Sequence, residues 1–243
     1  MRYSIILSYC GAAFHGWQIQ ADAVSVQEVL EKALSVLLKE KISVTGAGRT
    51  DTGVNAIGYT AHFDCSTEAD TRTLTCKLNA ILPRELAVLS VKRVRDDFHA
   101  RFDATKREYT YYLHRVKDPF VESFSYFCAY PGLDFDKMNR VAAKLVGRRD
   151  FRCFEKSGAD NKTSICTVFE ARWQMDDEQH WSFHIAADRF LRNMVRAIVG
   201  TLIDVGRGKR SPESIDALLA SHDRCAAGES VPGNALFLTK IEY

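Results

Sequence analysis

The stretch Gly46, Ala47, Gly48, Arg49, Thr50, Asp51, Thr52, Gly53, Val54, Asn55, Ala56 is the part of this chain that packing explains least. Three glycines in eight residues let the backbone take positive φ and let a ligand approach it closely, at an entropic cost that a mere connector avoids. Arg49 and Asp51 are two apart, so in an extended chain they share a face. A guanidinium nearby keeps a carboxylate ionised even when it is shielded from water. An ionised, orientable carboxylate is what nucleophilic attack at a sugar carbon requires. The bland alternative is a turn carrying a surface ion pair. The stretch is not a phosphate loop, because neither Gly-x-x-x-x-Gly-Lys-Ser/Thr nor a Gly-x-Gly-x-x-Gly after a strand is present.

Thirty-three Lys and Arg against 31 Asp and Glu leave a net charge of +2, which by itself says nothing about a polyanionic partner. The distribution is uneven. Arg189 to Arg210 carries six basic residues and one acidic, and Lys92 to Lys117 carries eight against four, interleaved with Phe98, Phe102, Tyr109, Tyr111 and Tyr112. Phosphates need cations and exposed bases need flat partners, so this mixture suits single-stranded or flipped-out nucleic acid. A solvated helix face beside half-buried strand aromatics is the competing reading. Lys156 to Lys162, with Gly158 and Asn161, reads as a loop and a weaker contact candidate.

These residues need a scaffold. Tyr3 to Tyr9 is rich in β-branched and aromatic residues and predicts a first strand. Ser25 with Glu28 makes a capping box, and Val26, Val29, Leu30, Ala33, Leu34 and Leu37 keep helical period, so a helix over about 26–39 follows. Ile42 to Val44 and Tyr59 to Asp64 predict strands on either side of the glycine-rich turn. Thr71 to Ala80 predicts a helix, and Leu86 to Val94 a strand. Further on, strands are expected at Arg107 to Arg115, Ile165 to Met175 and Trp181 to Ala187, with a helix over Asp136 to Val146. Phe190, Leu191, Met194, Val195, Ile198, Val199, Leu202 and Ile203 form a broad apolar stripe, which predicts a helix over 189–205. Arg189, Arg192 and Arg196 would lie near one face of it. Ser211 and Pro212 are expected to start another. Irregular alternation with adjacent strands points to an α+β fold with largely antiparallel sheet. The strand, helix, strand order recurs in both halves, so two pseudo-equivalent α/β lobes are expected, 1–105 and 106–243.

The chain has 243 residues, 46% hydrophobic and 26% charged, ordinary usage for a globular protein. No apolar run approaches the roughly 20 residues needed to cross a bilayer. The opening lacks a long apolar segment followed by a small-residue cleavage site, which argues against secretion. Seven scattered cysteines with no Cys-x-x-Cys predict reduced thiols in the cytoplasm and no zinc or iron–sulfur site.

Gly48, Arg49, Thr50, Asp51, Thr52, Gly53, Val54 resembles the active-site motif of the tRNA pseudouridine synthase A family. Other segments match in the same order: His15, Gly16, Trp17, Gln18 with Gln20; Leu78, Asn79 and Leu82, Pro83; Phe98, His99, Ala100, Arg101, Phe102; Lys106, Arg107, Glu108, Tyr109, Thr110, Tyr111; Asp150, Phe151; and Phe190 through Arg196. The resemblance implies a pseudouridine synthase fold with a central mixed, largely antiparallel sheet flanked by helices. It implies a homodimer without metal or organic cofactor, not bound to a membrane, that modifies uridines at positions 38 to 40 of the tRNA anticodon stem-loop. It makes Asp51 the catalytic carboxylate and Tyr109 the ring that stacks on the target base. It makes Arg196 the partner of the carboxylate, and Arg49 the residue that holds the RNA with its nucleotide turned outward. Arg101, Lys106, Arg107, Arg189 and Arg192 are expected to contact RNA. Three positions depart from the family pattern: Asn55 where His is usual, Cys10 where Asp is usual, and Ala235 in place of Gly.

Isomerising uridine breaks an N–C glycosidic bond, turns the freed uracil in place and makes a C–C bond to the same sugar carbon. A flat ring retains the base while it rotates. One carboxylate suffices, either to attack C1′ or to take the C2′ proton and leave a glycal. Glycoside hydrolysis would instead call for two opposed acids. The alternatives are a non-catalytic structured-RNA-binding module of the same fold and a carboxylate-dependent nucleosidase. A carboxylate beside RNA phosphate has no use in binding alone, and the motif supplies arginine rather than a second acid.

Overall fold

Strict alternation along β1 (Arg2–Tyr9) puts Tyr3, Ile5, Leu7 and Tyr9 into the core of an N-terminal unit and leaves the residues between them partly exposed. The computed structural model describes residues 1–158 and 162–243; Asn161 lies outside the described residues. Two compact units result, one of Met1–Thr105 with Phe237–Tyr243, the other of Lys106–Leu236.

In the first unit, β3 (Asn55–Asp64) and β4 (Leu86–Arg93) flank β1, both antiparallel to it. The bidentate Arg2–Asp64 ion pair, at 2.7 and 2.9 Å, closes one end of the β1/β3 register. β2 (Val44–Gly46) pairs antiparallel with β3. From Phe237 onward, β10 (Leu236–Glu242) runs parallel to β3, matching Phe237 with Asn55 and Leu238 with Ala56. The last seven residues, expected in the second lobe, therefore belong to the first unit. Helices α1 (Val26–Leu38) and α2 (Thr71–Ile81) bury Leu30, Leu34, Leu74 and Leu78, each worth about 1.5–3 kcal/mol of removed apolar surface. The Ser25 cap holds, its hydroxyl accepting the Glu28 N–H at 3.2 Å, and Asp70 caps α2.

In the second unit the sheet order is β5 (Lys106–His114), β9 (His180–Ala187), β8 (Ile165–Met175), β7 (Gly147–Asp150), all antiparallel, with the short β6 (Tyr126–Phe127) parallel to β5. α3 (Phe135–Lys144) docks on β8 through Asn139, whose side chain accepts the Trp173 N–H at 2.7 Å and donates to its carbonyl at 3.1 Å. The units thus each carry a mixed, largely antiparallel sheet with helices, as the sequence leads one to expect.

Two helix starts differ from expectation. α4 (Met194–Gly206) begins five residues later than the expected helix start at 189, because Asn193 takes the left-handed conformation at φ 65° and breaks the helical path. Arg189 and Arg192 therefore lie in the preceding loop, not on a helix face with Arg196. Eleven of the 13 residues of α4 are buried, so the helix has little solvated face of any kind. α5 (Ser214–Ser221) begins after Ser211 and Pro212, which form a turn closed by the Ser214 N–H on the Ser211 carbonyl at 3.1 Å. All seven cysteines are free thiols, and no described helix is long and apolar enough to span a membrane.

One buried group ties stability to pH. His62 on β3 accepts the Ala100 N–H at Nδ1, 3.1 Å, and burial, with Arg2 and His99 adding, pushes it down to about 4. The unfolded chain, with an ordinary value near 6.5, takes up this proton first on acidification. The contribution is present above pH 6.5, declines as pH falls toward 4, and amounts to at most about 3 kcal/mol. Thermal melts from pH 7 to 4 should fall more steeply for the wild type than for His62→Asn, which keeps an acceptor without titrating. Parallel profiles would remove His62 as the cause.

Candidate active site

The loop bearing Asp51 is fixed almost entirely through its backbone. Tyr59, fully buried on β3, donates its hydroxyl hydrogen to the Gly48 carbonyl and accepts the Gly48 N–H at 3.3 Å. Ala47 N–H binds the Thr60 carbonyl at 3.0 Å. Thr50 points inward, its hydroxyl 2.9 Å from that of Tyr9 and its carbonyl accepting the Trp17 N–H at 3.2 Å. Beyond Asp51, the Val54 N–H returns to the Asp51 carbonyl at 3.1 Å, and Gly53 supplies the positive φ of 79°. Buried Asn55 then accepts the Gly11 N–H at 2.8 Å, joining the loop's exit to the end of β1.

Trp17 is held in turn by α1. The first N–H groups of that helix, Val26 and Gln27, donate to the carbonyls of Gly16 and Trp17 at 3.2 and 3.0 Å. The Trp17 ring stacks on Tyr59 with centroids 4.3 Å apart. Several of these contacts leave no room for a side chain. A Cβ on Gly11 would sit 2.3 Å from the Val54 oxygen, and one on Gly16, whose φ is 86°, would sit 2.4 Å from the Thr50 oxygen. Gly48 is different, with open space around its Cβ position and no positive φ.

With Thr50 buried, its neighbours turn outward, Asp51 half-buried and Arg49 exposed. Asn55 has no titrating ring, yet it does structural work that an imidazole nitrogen also suits. Arg101 is exposed at a turn in the same unit.

The other expected residues lie in the second unit. Tyr109 is half-exposed on β5, its ring edge-on to Phe190 at 5.1 Å and 87°. Tyr111, two residues on, is fully buried, and burial pushes its phenol up while the Arg196 guanidinium opposes the shift. Tyr112 points the other way. Arg196 on α4 is clamped to one residue twice: its Nε donates to the Val231 carbonyl at 2.7 Å, and its own carbonyl accepts the Val231 N–H at 3.3 Å. The 228–231 segment reaches α4 because Gly200 and Gly228 have no side chains; a Cβ on Gly200 would lie 1.8 Å from the Glu229 oxygen. Lys106 pairs with Glu108 at 2.7 Å, and Arg107 donates to the Asp188 carbonyl at 2.6 Å, so both already serve internal contacts. Arg192 is exposed and Arg189 half-buried. The sequence reading missed Tyr9, Tyr59 and Val231, whose roles rest on pairings distant in sequence. Trp17 was visible only as part of the His15 to Gln20 segment.

A family model described as tRNA pseudouridine synthase matches residues 5–103 and 141–243. Tyr109 lies between the two matched ranges. The tRNA pseudouridine synthase A of Bacteroides fragilis is 51% identical over 243 residues, covering 100% of this chain and 96% of the relative. That of Porphyromonas gingivalis is 46% identical over 245 residues, covering 100% and 97%. Among solved structures, a chain in a Cbf5-Nop10-Gar1 complex aligns at a TM-score of 0.40 and 12% identity, covering 86% of this chain and 43% of that one.

The backbone fastening predicts a contrast between two glycines. Gly16→Ala forces the Thr50 carbonyl to move, and is expected to lower the melting temperature and cut turnover roughly a hundredfold, the scale of a 1 Å misplacement. Gly48→Ala is expected to leave the melting temperature at or above that of the wild type, since the added methyl meets open space. Equal destabilisation by both, measured by calorimetry, would contradict the fastening described here.

Proposed function

The chain belongs to the tRNA pseudouridine synthase family, and we propose that it isomerises uridines at positions 38 to 40 of the tRNA anticodon stem-loop with Asp51 as the catalytic carboxylate. The coarser activity, conversion of uridine to pseudouridine in tRNA, follows from the family and from relatives matched over their whole length. The observation that supports the role of Asp51 is its loop: a half-buried carboxylate on a backbone fastened by Tyr9, Trp17, Tyr59 and Asn55. Preorganisation of this kind suits a group that must meet one sugar carbon, and a carboxylate beside RNA phosphate has no use in binding alone.

A target uridine inside a stem leaves its stack first, at a cost of a few kcal/mol that backbone contacts offset. Arg49, exposed beside Asp51, holds the RNA with the nucleotide turned outward. The Asp51 carboxylate then acts once. Either it attacks C1′, expelling uracil and forming an ester that C5 of the rotated base displaces, or it takes the C2′ proton as uracil departs and returns it to C2′ as C5 of the rotated base adds to C1′ of the glycal. In both routes the proton on C5 is released to solvent after the C–C bond forms, and N1, freed from the sugar, takes up a proton in its place. Tyr109 keeps the detached base stacked during rotation, and Arg196 supplies positive charge to the carboxylate. Exposed Arg192 and half-buried Arg189 contact phosphate. The active species is a homodimer in the cytoplasm and uses no metal or organic cofactor.

Unmodified tRNA carrying tritium at uridine C5 tests the reading. Tritium should be released without free uracil, and release should fall when uridines 38 to 40 are replaced by cytidine. Binding without release favours a non-catalytic module, and free uracil favours hydrolysis. Apparent tRNA affinity should also fall steeply with added salt, with a log–log slope near −0.9 for each phosphate neutralised; a flat response would contradict the phosphate contacts.

A further inference from the structure

We propose that Phe102, backed by His99 and flanked by Arg101, is a stacking platform for an unpaired tRNA base other than the target uridine; this rests on the tRNA-modifying reading above. Phe102 is 75% exposed, although His99 lies against it with ring centroids 4.2 Å apart and planes 31° from parallel. The Arg101 guanidinium carbon lies 5.7 Å from the Phe102 centroid. A flat ring beside a cation offers a base both stacking and charge for its phosphate.

The platform is built rather than accidental. His99 Nδ1 accepts the backbone N–H groups of both Arg101 and Phe102, at 3.2 and 3.3 Å. The Asp103 carboxylate accepts the His99 N–H at 3.1 Å and an Arg95 guanidinium hydrogen at 2.6 Å. The Asp103 N–H closes the turn on the His99 carbonyl at 3.0 Å. These bonds fix the turn before any ligand arrives, so little ordering opposes stacking. The ring's neighbours in sequence, Arg101 and Asp103, are charged and Ala100 is buried, so Phe102 is flanked along the turn by charge rather than by other exposed apolar side chains. That suits one base better than a protein surface, which needs a broad apolar contact. Tyr109 is the assigned partner of the target uridine, so this base is another nucleotide of the same tRNA.

Two variants test the proposal. Phe102→Trp puts an exposed indole on the platform; after subtraction of the wild-type signal, its emission should be quenched by unmodified tRNA, saturating at the dissociation constant given by anisotropy. Phe102→Ala should raise KM for tRNA roughly tenfold to a hundredfold, with kcat and sedimentation unchanged. An unresponsive indole while tRNA binds, or an unaltered KM, overturns the platform. Altered sedimentation of Phe102→Ala also overturns it, making the ring a contact between copies of the chain. Normal wild-type tritium release with insensitive Phe102 variants sinks only the platform, whereas a wild type that releases none sinks the functional reading.

Discussion

A tyrosine hydroxyl that both donates to and accepts from one glycine governs where Asp51 can be. Tyr59 sits in the β3 core, and its two bonds to Gly48 transfer the rigidity of the sheet to a loop that has no regular structure of its own. Trp17 adds a bond to the Thr50 carbonyl and stacks on the same tyrosine. Each hydrogen bond is worth only about 1 kcal/mol net. Their value lies in geometry, since a reacting carboxylate must be held to a fraction of an ångström. The chain of dependence reaches back to the start of α1, whose first N–H groups hold the carbonyls of Gly16 and Trp17. A helix N-terminus, ordinarily satisfied by a local cap, here also anchors the segment that positions the catalytic loop.

The second unit solves a similar problem with different means. Arg196 extends from a helix buried on nearly every side, and the Val231 backbone grips both its Nε and its carbonyl. That grip depends on Gly200 and Gly228, where close backbone approach replaces side-chain packing. Tyr109, by contrast, is held by strand pairing and an edge contact with Phe190, so its ring keeps an accessible surface. Asp51 and Arg196 are partly exposed, while Tyr9, Trp17, Tyr59 and Val231, which fix them, are buried.

Strong periodicity made most of the scaffold legible. The alternation of β1, the Ser25 cap of α1 and the strands β8 and β9 stand where the sequence puts them, within a residue or two. The failures have physical causes. Phe190 and Leu191 fit the period of α4, but one left-handed asparagine outweighs the stripe, and with it went the expected arginine face. The return of β10 to β3 joins residues far apart in the chain, and no local pattern encodes such a pairing. Asp51 was legible from its glycine-rich surroundings and from the family resemblance. Its fastening was not, because Tyr9 and Tyr59 read as ordinary core residues until their hydroxyls are seen to reach the loop. Asn55 read as the loss of a titrating group, and the structure gives it the role of a buried acceptor.

The account's central claim is that the charge on residue 51, and not merely its shape, drives isomerisation. Replacing that aspartate with asparagine preserves size and removes the charge, so tritium release from C5-labelled tRNA should fall to background while tRNA affinity stays within a few-fold of the wild type. Release by Asp51→Asn at a rate close to the wild type would contradict the account.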